Sequence, residues 1–308
     1  MKLKHIYIIA DTEKSLSELS CGAAKLAESF SAVCFGSADL VESAKVSGAS
    51  KVFECVVPAG SMAEEYAKAI AEQIKSDTPE LVMLDSSVRS RLMAGKVATY
   101  LGTAVTSGIS SIDTADGIRV SRMIYGGAAV RSEKLSTPIS VVTLGAGVFA
   151  GAAKPEAREC SVSALQLESA SKIKVIKKEE KKEATSNLAV ARCIVDVGRG
   201  ISNEEDLEMM KKLAVALGGD IGCSRPVSEV NGWMPRARYI GVTGVITKPD
   251  LCICIGISGQ VHHLVGINEA KTIVAINKDK NAAIFKAADF GIVGDLYKVL
   301  PALLERLS

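Results

Sequence analysis

The chain has 308 residues, 48% hydrophobic and 23% charged, which is apolar enough for about two packed domains and excludes wholesale disorder. Lys plus Arg is 37 against 35 for Asp plus Glu, and a net charge of +2 argues against a protein built mainly to hold nucleic acid. No apolar run reaches the ~18 residues of a membrane helix, and Asp11 ends the first run too early for a secretory core, so no membrane insertion is expected.

In the first half, β-branched runs at 5–10, 32–35, 51–56 and 80–84 read as strands. Amphipathic stretches at 16–30, 38–45, 62–74 and 88–101 read as helices. Alternation at this spacing predicts right-handed crossovers on a parallel sheet. From 103 to 143 the chain becomes turn-rich β segments, ending in a strand at 139–143. The stretch Gly145-Ala146-Gly147-Val148-Phe149-Ala150-Gly151 nearly spells a dinucleotide fingerprint, but no helix opens after it, so a turn is expected. Residues 171–176 fit an edge strand. The run Lys177-Lys178-Glu179-Glu180-Lys181-Lys182-Glu183 has no apolar face and predicts a solvated linker at 177–186.

The second half restarts the alternation, with strands at 190–197, 220–223, 251–257, 272–276 and 289–293 and helices at 204–217, 261–265 and 294–307. The predicted fold class is α/β: two doubly wound parallel-sheet domains, 1–176 and 187–308, joined by the charged linker. Cys34, Cys55, Cys193, Cys252 and Cys254 fall inside apolar runs, which suggests buried thiols in a reducing cytoplasm. Cys252 and Cys254 share one face of a strand without a knuckle or partner ligands, so they read as core and no metal site is expected. Glu204, Glu205 and Asp206 read as helix-start residues, Trp233 as packing, and Arg236 and Arg238 as a solvated loop.

Chemistry-bearing residues concentrate at strand ends of the second half: Gly198-Arg199-Gly200, Ser224-Arg225-Pro226, Gly241 with Thr243-Gly244, Gly256-Ile257-Ser258-Gly259 before His262-His263, and Asn277-Lys278-Asp279. Ligands of open α/β sheets sit outside the carboxyl ends of the strands, so these residues predict a nucleotide or dinucleotide site. Arg199 and Arg225 suit an anionic ligand, and Ser224 and Ser258 supply hydroxyls.

These motifs, followed by Val274-Ala275-Ile276-Asn277-Lys278-Asp279, Ile284-Phe285 and Ala288-Asp289-Phe290-Gly291-Ile292-Val293-Gly294-Asp295-Leu296, strongly resemble the FAD domain of the electron transfer flavoprotein alpha subunit, bacterial carnitine- and fatty-acid-linked members included. Residues 122–128, Arg122 to Ala128, fit that family's first domain. The resemblance implies one subunit of a heterodimer, an electron carrier rather than a substrate-converting enzyme. FAD would lie in the C-terminal domain, and AMP or a second FAD in the partner beta subunit. Electrons would pass from an acyl-CoA dehydrogenase-like donor to a quinone-linked or a ferredoxin or flavodoxin acceptor.

Position by position, the resemblance implies Arg199 and Ser258 by the phosphates, and Ser224 and Arg225 by the flavin or pyrophosphate. It also implies Gly241 and Thr243 along the flavin, with the Thr243 hydroxyl near N5. His263 would stand at O2, and Asn277, Asp295 and Leu296 at the adenosine end. Thr243, Arg225 and His263 would tune the flavin. The chain departs from the family pattern at Tyr239, Val242, Val245, His262 and Leu144, where Gln, Gln, Lys, Gln and Arg are usual. The alternative is a non-redox nucleotide-binding or regulatory module that has lost flavin. A self-sufficient dinucleotide-dependent dehydrogenase would need a clean fingerprint and a general acid or base, and the sequence offers neither.

Overall fold

Strands buried on both faces need unbroken apolar runs, and the chain supplies them at the centres of two parallel sheets. The computed structural model describes residues 2–36, 38–145, 147–149, 151–165, 173, 175–177 and 188–307. It divides into two units, residues 1–123 with 130–179 and residues 124–129 with 180–308. The predicted linker, apart from Lys177, and most of the predicted 171–176 edge strand lie outside the described residues; Ile173, Val175 and Ile176 are not in a strand.

The first unit runs β1 (Leu3–Ala10), α1 (Glu13–Leu26), β2 (Ala27–Phe35), α2 (Ala38–Lys45), β3 (Lys51–Cys55), α3 (Ala67–Asp77), β4 (Leu81–Asp85) and α4 (Val88–Leu101). It continues with β5 (Val105–Ile109), β6 (Ser111–Asp113), β7 (Arg119–Ile124), β8 (Ala129–Lys134), β9 (Ser140–Leu144) and β10 (Ser161–Ala164). One parallel sheet has the order β10-β3-β2-β1-β4-β9-β5, and β6-β7-β8 form a separate three-stranded sheet.

The helix expected over 16–30 stops at Leu26. Its periodicity (Leu16, Leu19, Ala23, Leu26) runs on to Phe30, but residues 27–34 pair in parallel register with β1, Leu3 opposite Ala27 through to Ala10 opposite Cys34. His5 fastens that pairing, its two ring nitrogens 2.8 and 2.9 Å from the Ser29 and Ser31 hydroxyls. Sheet pairing outweighs helical propensity here because it buries the whole segment. The stretch at 145–151 forms a turn, with Gly147 and Gly151 at positive φ.

Tyr7 is fully buried and its hydroxyl donates to Asp77 Oδ2 at 2.6 Å. Burial, together with this carboxylate, pushes the phenol pKa up. Tyr7→Phe is expected to cost the first unit about 1.5–3 kcal/mol, the worth of a hydrogen bond to a charged group. Hydrogen exchange of the β1 amides checks it: their protection should fall while that of the second unit holds.

The second unit contains β11 (Cys193–Val197), α5 (Leu207–Ala216), β12 (Asp220–Cys223), β13 (Leu251–Ile255), α6 (Val261–Leu264), β14 (Thr272–Asn277), β15 (Phe290–Val293) and α7 (Leu296–Leu307). Its sheet is wholly parallel, in the order β12-β11-β13-β14-β15. The strand expected from 190 begins at Cys193, because Leu188–Val190 is a 3₁₀ turn. Asn203 and Asp206 form a capping box ahead of α5, and Trp233 packs against the core under that helix. Arg238, read as solvated, is instead engaged, donating to Asp220 Oδ1 at 2.5 Å and to the Ile221 carbonyl at 2.7 Å. Among the described residues, no helix is long and apolar enough to cross a membrane. All eight cysteines are unpaired, and every one but Cys160 is buried.

Candidate functional site

The strand order of the second unit fixes where a ligand can go. The chain leaves β11 for β12 at one side and then crosses to β13 at the other, so the crossovers diverge between β11 and β13 and open a crevice at their carboxyl ends. The loops after these strands meet backbone to backbone. The Gly198 amide donates to the Ile255 carbonyl at 2.8 Å and the Gly200 amide to the Gly256 carbonyl at 3.1 Å. A methyl on Gly200 would lie 2.6 Å from the Gly256 Cα, and one on Gly198 would overlap the Gly256 carbonyl. Gly256 is itself at φ +63°, a conformation side chains disfavour.

Around this crossing lies a cavity of about 730 Å³. Of the residues predicted from sequence, Arg199, Ser224, Arg225, Thr243, Ser258, His263 and Asn277 line it. Gly241 stands just behind the lining at φ +144°, where a methyl would come within 2.8 Å of the His262 carbonyl oxygen. Asp295 and Leu296 are not brought to the cavity. Asp295 Oδ1 accepts from the Tyr297 amide at the start of α7, and Leu296 is buried in the core beneath α5. A second cavity, of about 310 Å³, lies at the carboxyl ends of β1 and β4 in the first unit. Only the larger one is ringed by arginines.

Each lining residue is held by its own element. Asn277, at the end of β14, donates from Nδ2 to the Ile257 carbonyl at 2.8 Å and braces the β13 loop. Arg225 opens a helical turn and its Nε donates to Glu229 Oε2 at 2.6 Å, which tempers a mostly exposed cation. The Thr243 hydroxyl reaches the Tyr239 hydroxyl at 3.4 Å. Ser224 Oγ is screened from solvent and has no hydrogen-bond partner. His262 is exposed, whereas His263 is 8% exposed.

His263 Nε2 lies 2.6 Å from Oδ2 of Asp196, a carboxylate with no exposed surface on β11. Burial works against a charged imidazole, but the adjacent carboxylate outweighs it and holds the His263 pKa above its ordinary value. Nδ1 of His263 and Oδ1 of Asp196 have no hydrogen-bond partner. A carboxylate oxygen of Asp196 falls within 4.8 Å of the Cys252 and Cys254 thiols, which face it across the β11–β13 pairing. None of these three residues lines the cavity, and they are read as core. Asp196 was missed from sequence, hidden in the apolar run Ile194-Val195-Asp196-Val197. A lone acid inside a doubly buried strand was the available signal, since such a group needs a partner.

A dinucleotide fits this arrangement. The glycine crossing exposes main chain beside the cavity, two arginines supply positive charge, and the Ser224 hydroxyl has no partner within the chain. The cavity is within the range of small-molecule sites. Two family models match the chain: electron transfer flavoprotein domain over residues 13–170, and electron transfer flavoprotein FAD-binding domain over 187–268. The Escherichia coli K12 protein YdiR, named for an electron transfer flavoprotein subunit, is 41% identical over 248 residues, 80% of this chain and 79% of its own. Protein FixB of Escherichia coli O157:H7 is 37% identical over 308 residues, 98% of each chain. Protein FixB of Salmonella agona is 37% identical over 311 residues, covering 100% of this chain and 99% of its own. The chain belongs to the electron transfer flavoprotein family, as an alpha-type member.

Proposed function

We propose that the cavity of the second unit holds FAD, and that the chain pairs with a beta-type subunit to carry electrons from an acyl-CoA dehydrogenase-like donor to a quinone-linked or a ferredoxin or flavodoxin acceptor in the cytoplasm. The domains of this reading are 1–176 and 187–308, with FAD in the second and AMP or another FAD in the beta partner. The observation that carries the proposal is the glycine crossing at the point where the crossovers diverge, with Arg199, Ser224, Arg225 and His263 on the same cavity.

When bound, the flavin supplies the ring that takes up and releases electrons. The protein's own residues hold it and set its surroundings. Arg199 and the Ser258 hydroxyl line the cavity close in sequence to the crossing glycines, suited to phosphate oxygens. Arg225 contributes a permanent cation, partly balanced by Glu229. His263 contributes a second positive group whose charge depends on pH. Positive charge and hydrogen-bond donors beside the ring favour its reduced, more negative form.

Ser224→Ala separates binding from structure. Oγ makes no hydrogen bond within the chain, so removing it is expected to leave stability without FAD unchanged or slightly raised. FAD affinity should fall about five- to tenfold, the worth of one hydrogen bond. Flavin fluorescence titration and thermal unfolding check both halves. The proposal as a whole is tested by purifying the full chain with a beta-type partner and adding FAD. Visible flavin absorbance that survives gel filtration supports it, and its absence, especially with nucleotide bound instead, overturns it.

A further inference from the structure

We propose that Asp196 is a positioning residue of this site: it fixes a proton on Nε2 of His263 and thereby sets the charge that the imidazole presents to the cavity. Its action on a cofactor rests on the FAD reading above, whereas its control of the imidazole does not.

The argument begins with burial. Asp196 is completely buried on β11, an interior strand between β12 and β13, and its hydrogen bond among the described residues is the 2.6 Å contact with His263. A carboxylate taken out of water is strongly disfavoured unless a donor or a cation meets it. Nε2 must therefore carry hydrogen whenever Asp196 is ionised. The tautomer with hydrogen only on Nδ1 would set two acceptors against each other.

The other groups around the ring do not compete for this role. On β13, the Cys254 thiol, raised by its hydrogen bond with Cys252 and by burial, stays neutral, and Cys252 lies beside it. At the end of β12, burial pushes Cys223 up to about 12. Tyr239 stands behind Gly241 and meets Thr243. His262 precedes the ring on α6 and is exposed, and Arg199, Arg225 and Asp279 line the same cavity without a hydrogen bond or ion pair to the ring. The ring itself lines the cavity, its Nδ1 is screened from solvent, and the Ile240 backbone is the other group that acts on the imidazole. With Nε2 held by Asp196, the charge state of the ring is read at Nδ1: an N–H donor while the ring is charged, a lone pair once it is not.

The test uses ¹⁵N-histidine NMR on the full chain without flavin, from about pH 5.5 to 9.5. The chain has three histidines, His5, His262 and His263, so single substitutions assign them. In the parent chain, His263 should keep Nε2 protonated throughout and lose its charge above the ordinary imidazole range. In Asp196→Asn that loss should move down by about 1–3 pH units, the range a close opposite charge produces. An unprotonated Nε2 at any pH in the parent chain overturns the proposal without recourse to a variant. So does an unchanged titration in folded Asp196→Asn.

The second arm follows the flavin midpoint potential against pH in the FAD-loaded heterodimer. The break assigned to His263 should move down with the substitution, as the imidazole does. If the imidazole responds and the potential does not, the ring is not beside the flavin. That result removes the cofactor half of the proposal and the flavin placement under the proposed function, while the Asp196–His263 pair stands.

Discussion

Gly198→Ala is expected to leave a chain that folds but releases its cofactor. The added methyl meets the Gly256 carbonyl and comes within 2.7 Å of the Ile257 amide nitrogen. Both are backbone atoms on the neighbouring strand's loop, and no rotamer change relieves them. The loops after β11 and β13 must part, which costs about 1–3 kcal/mol as overpacking does. FAD retention should weaken by about two orders of magnitude, equivalent to about 2.7 kcal/mol. Gly218→Ala is the control. It lies after α5 at φ +61° with nothing within 4 Å of its added methyl, so it pays only the conformational cost of about 1 kcal/mol. Dialysis of the loaded heterodimer distinguishes them: Gly218→Ala should keep its flavin and Gly198→Ala should lose it. Equal retention would mean that the crossing does not shape the site.

His263→Ala should have the largest effect on stability. It leaves Asp196 buried and ionisable with no hydrogen-bond partner, and breaking a buried pair from one side costs about 3–5 kcal/mol. The pH dependence has a definite sign. In the variant, burial opposes a charge on Asp196 that water favours in the unfolded chain, so the variant loses stability as the pH rises out of the acid range. The parent behaves differently because the His263 value is raised on folding. Its contribution is complete below about pH 6.5 and fades as the pH climbs through the folded value. The gap between parent and variant should thus be small near pH 4 and large near neutrality. Urea unfolding followed by Trp233 measures it, since this single tryptophan packs in the second unit. A gap of equal size at both pH values would show that Asp196 carries no charge in the folded chain.

Strand and helix order was legible from apolar periodicity because parallel strands buried on both faces leave unbroken runs, as at Ile6 to Ala10 and Cys252 to Ile255. Boundaries were not legible where two patterns overlap. Phe30 continues the helical spacing of α1 and equally faces the core from β2, and nothing local chooses between them. The edge strand β10, with all four residues exposed, offers only Val162 and Ala164 as an apolar signal. The glycine and arginine clusters were readable because they interrupt the apolar pattern at strand ends. Asp196 was not, because one acid in a strand reads as surface until the partner strands on both sides are known. Asp295 and Leu296 were nominated by resemblance alone, and they cap and anchor α7 away from the cavity lining.

The meeting of the two loops at Gly198, Gly200 and Gly256 is made of main chain, without a side chain to be exchanged. On the FAD reading, holding and tuning would therefore fall to different parts of the molecule. Substitutions such as Val242 and His262 can accumulate on the outer wall while the grip beneath stays the same. One scaffold of this kind can serve several redox circuits by repainting its rim, with no need to relearn how to keep its passenger.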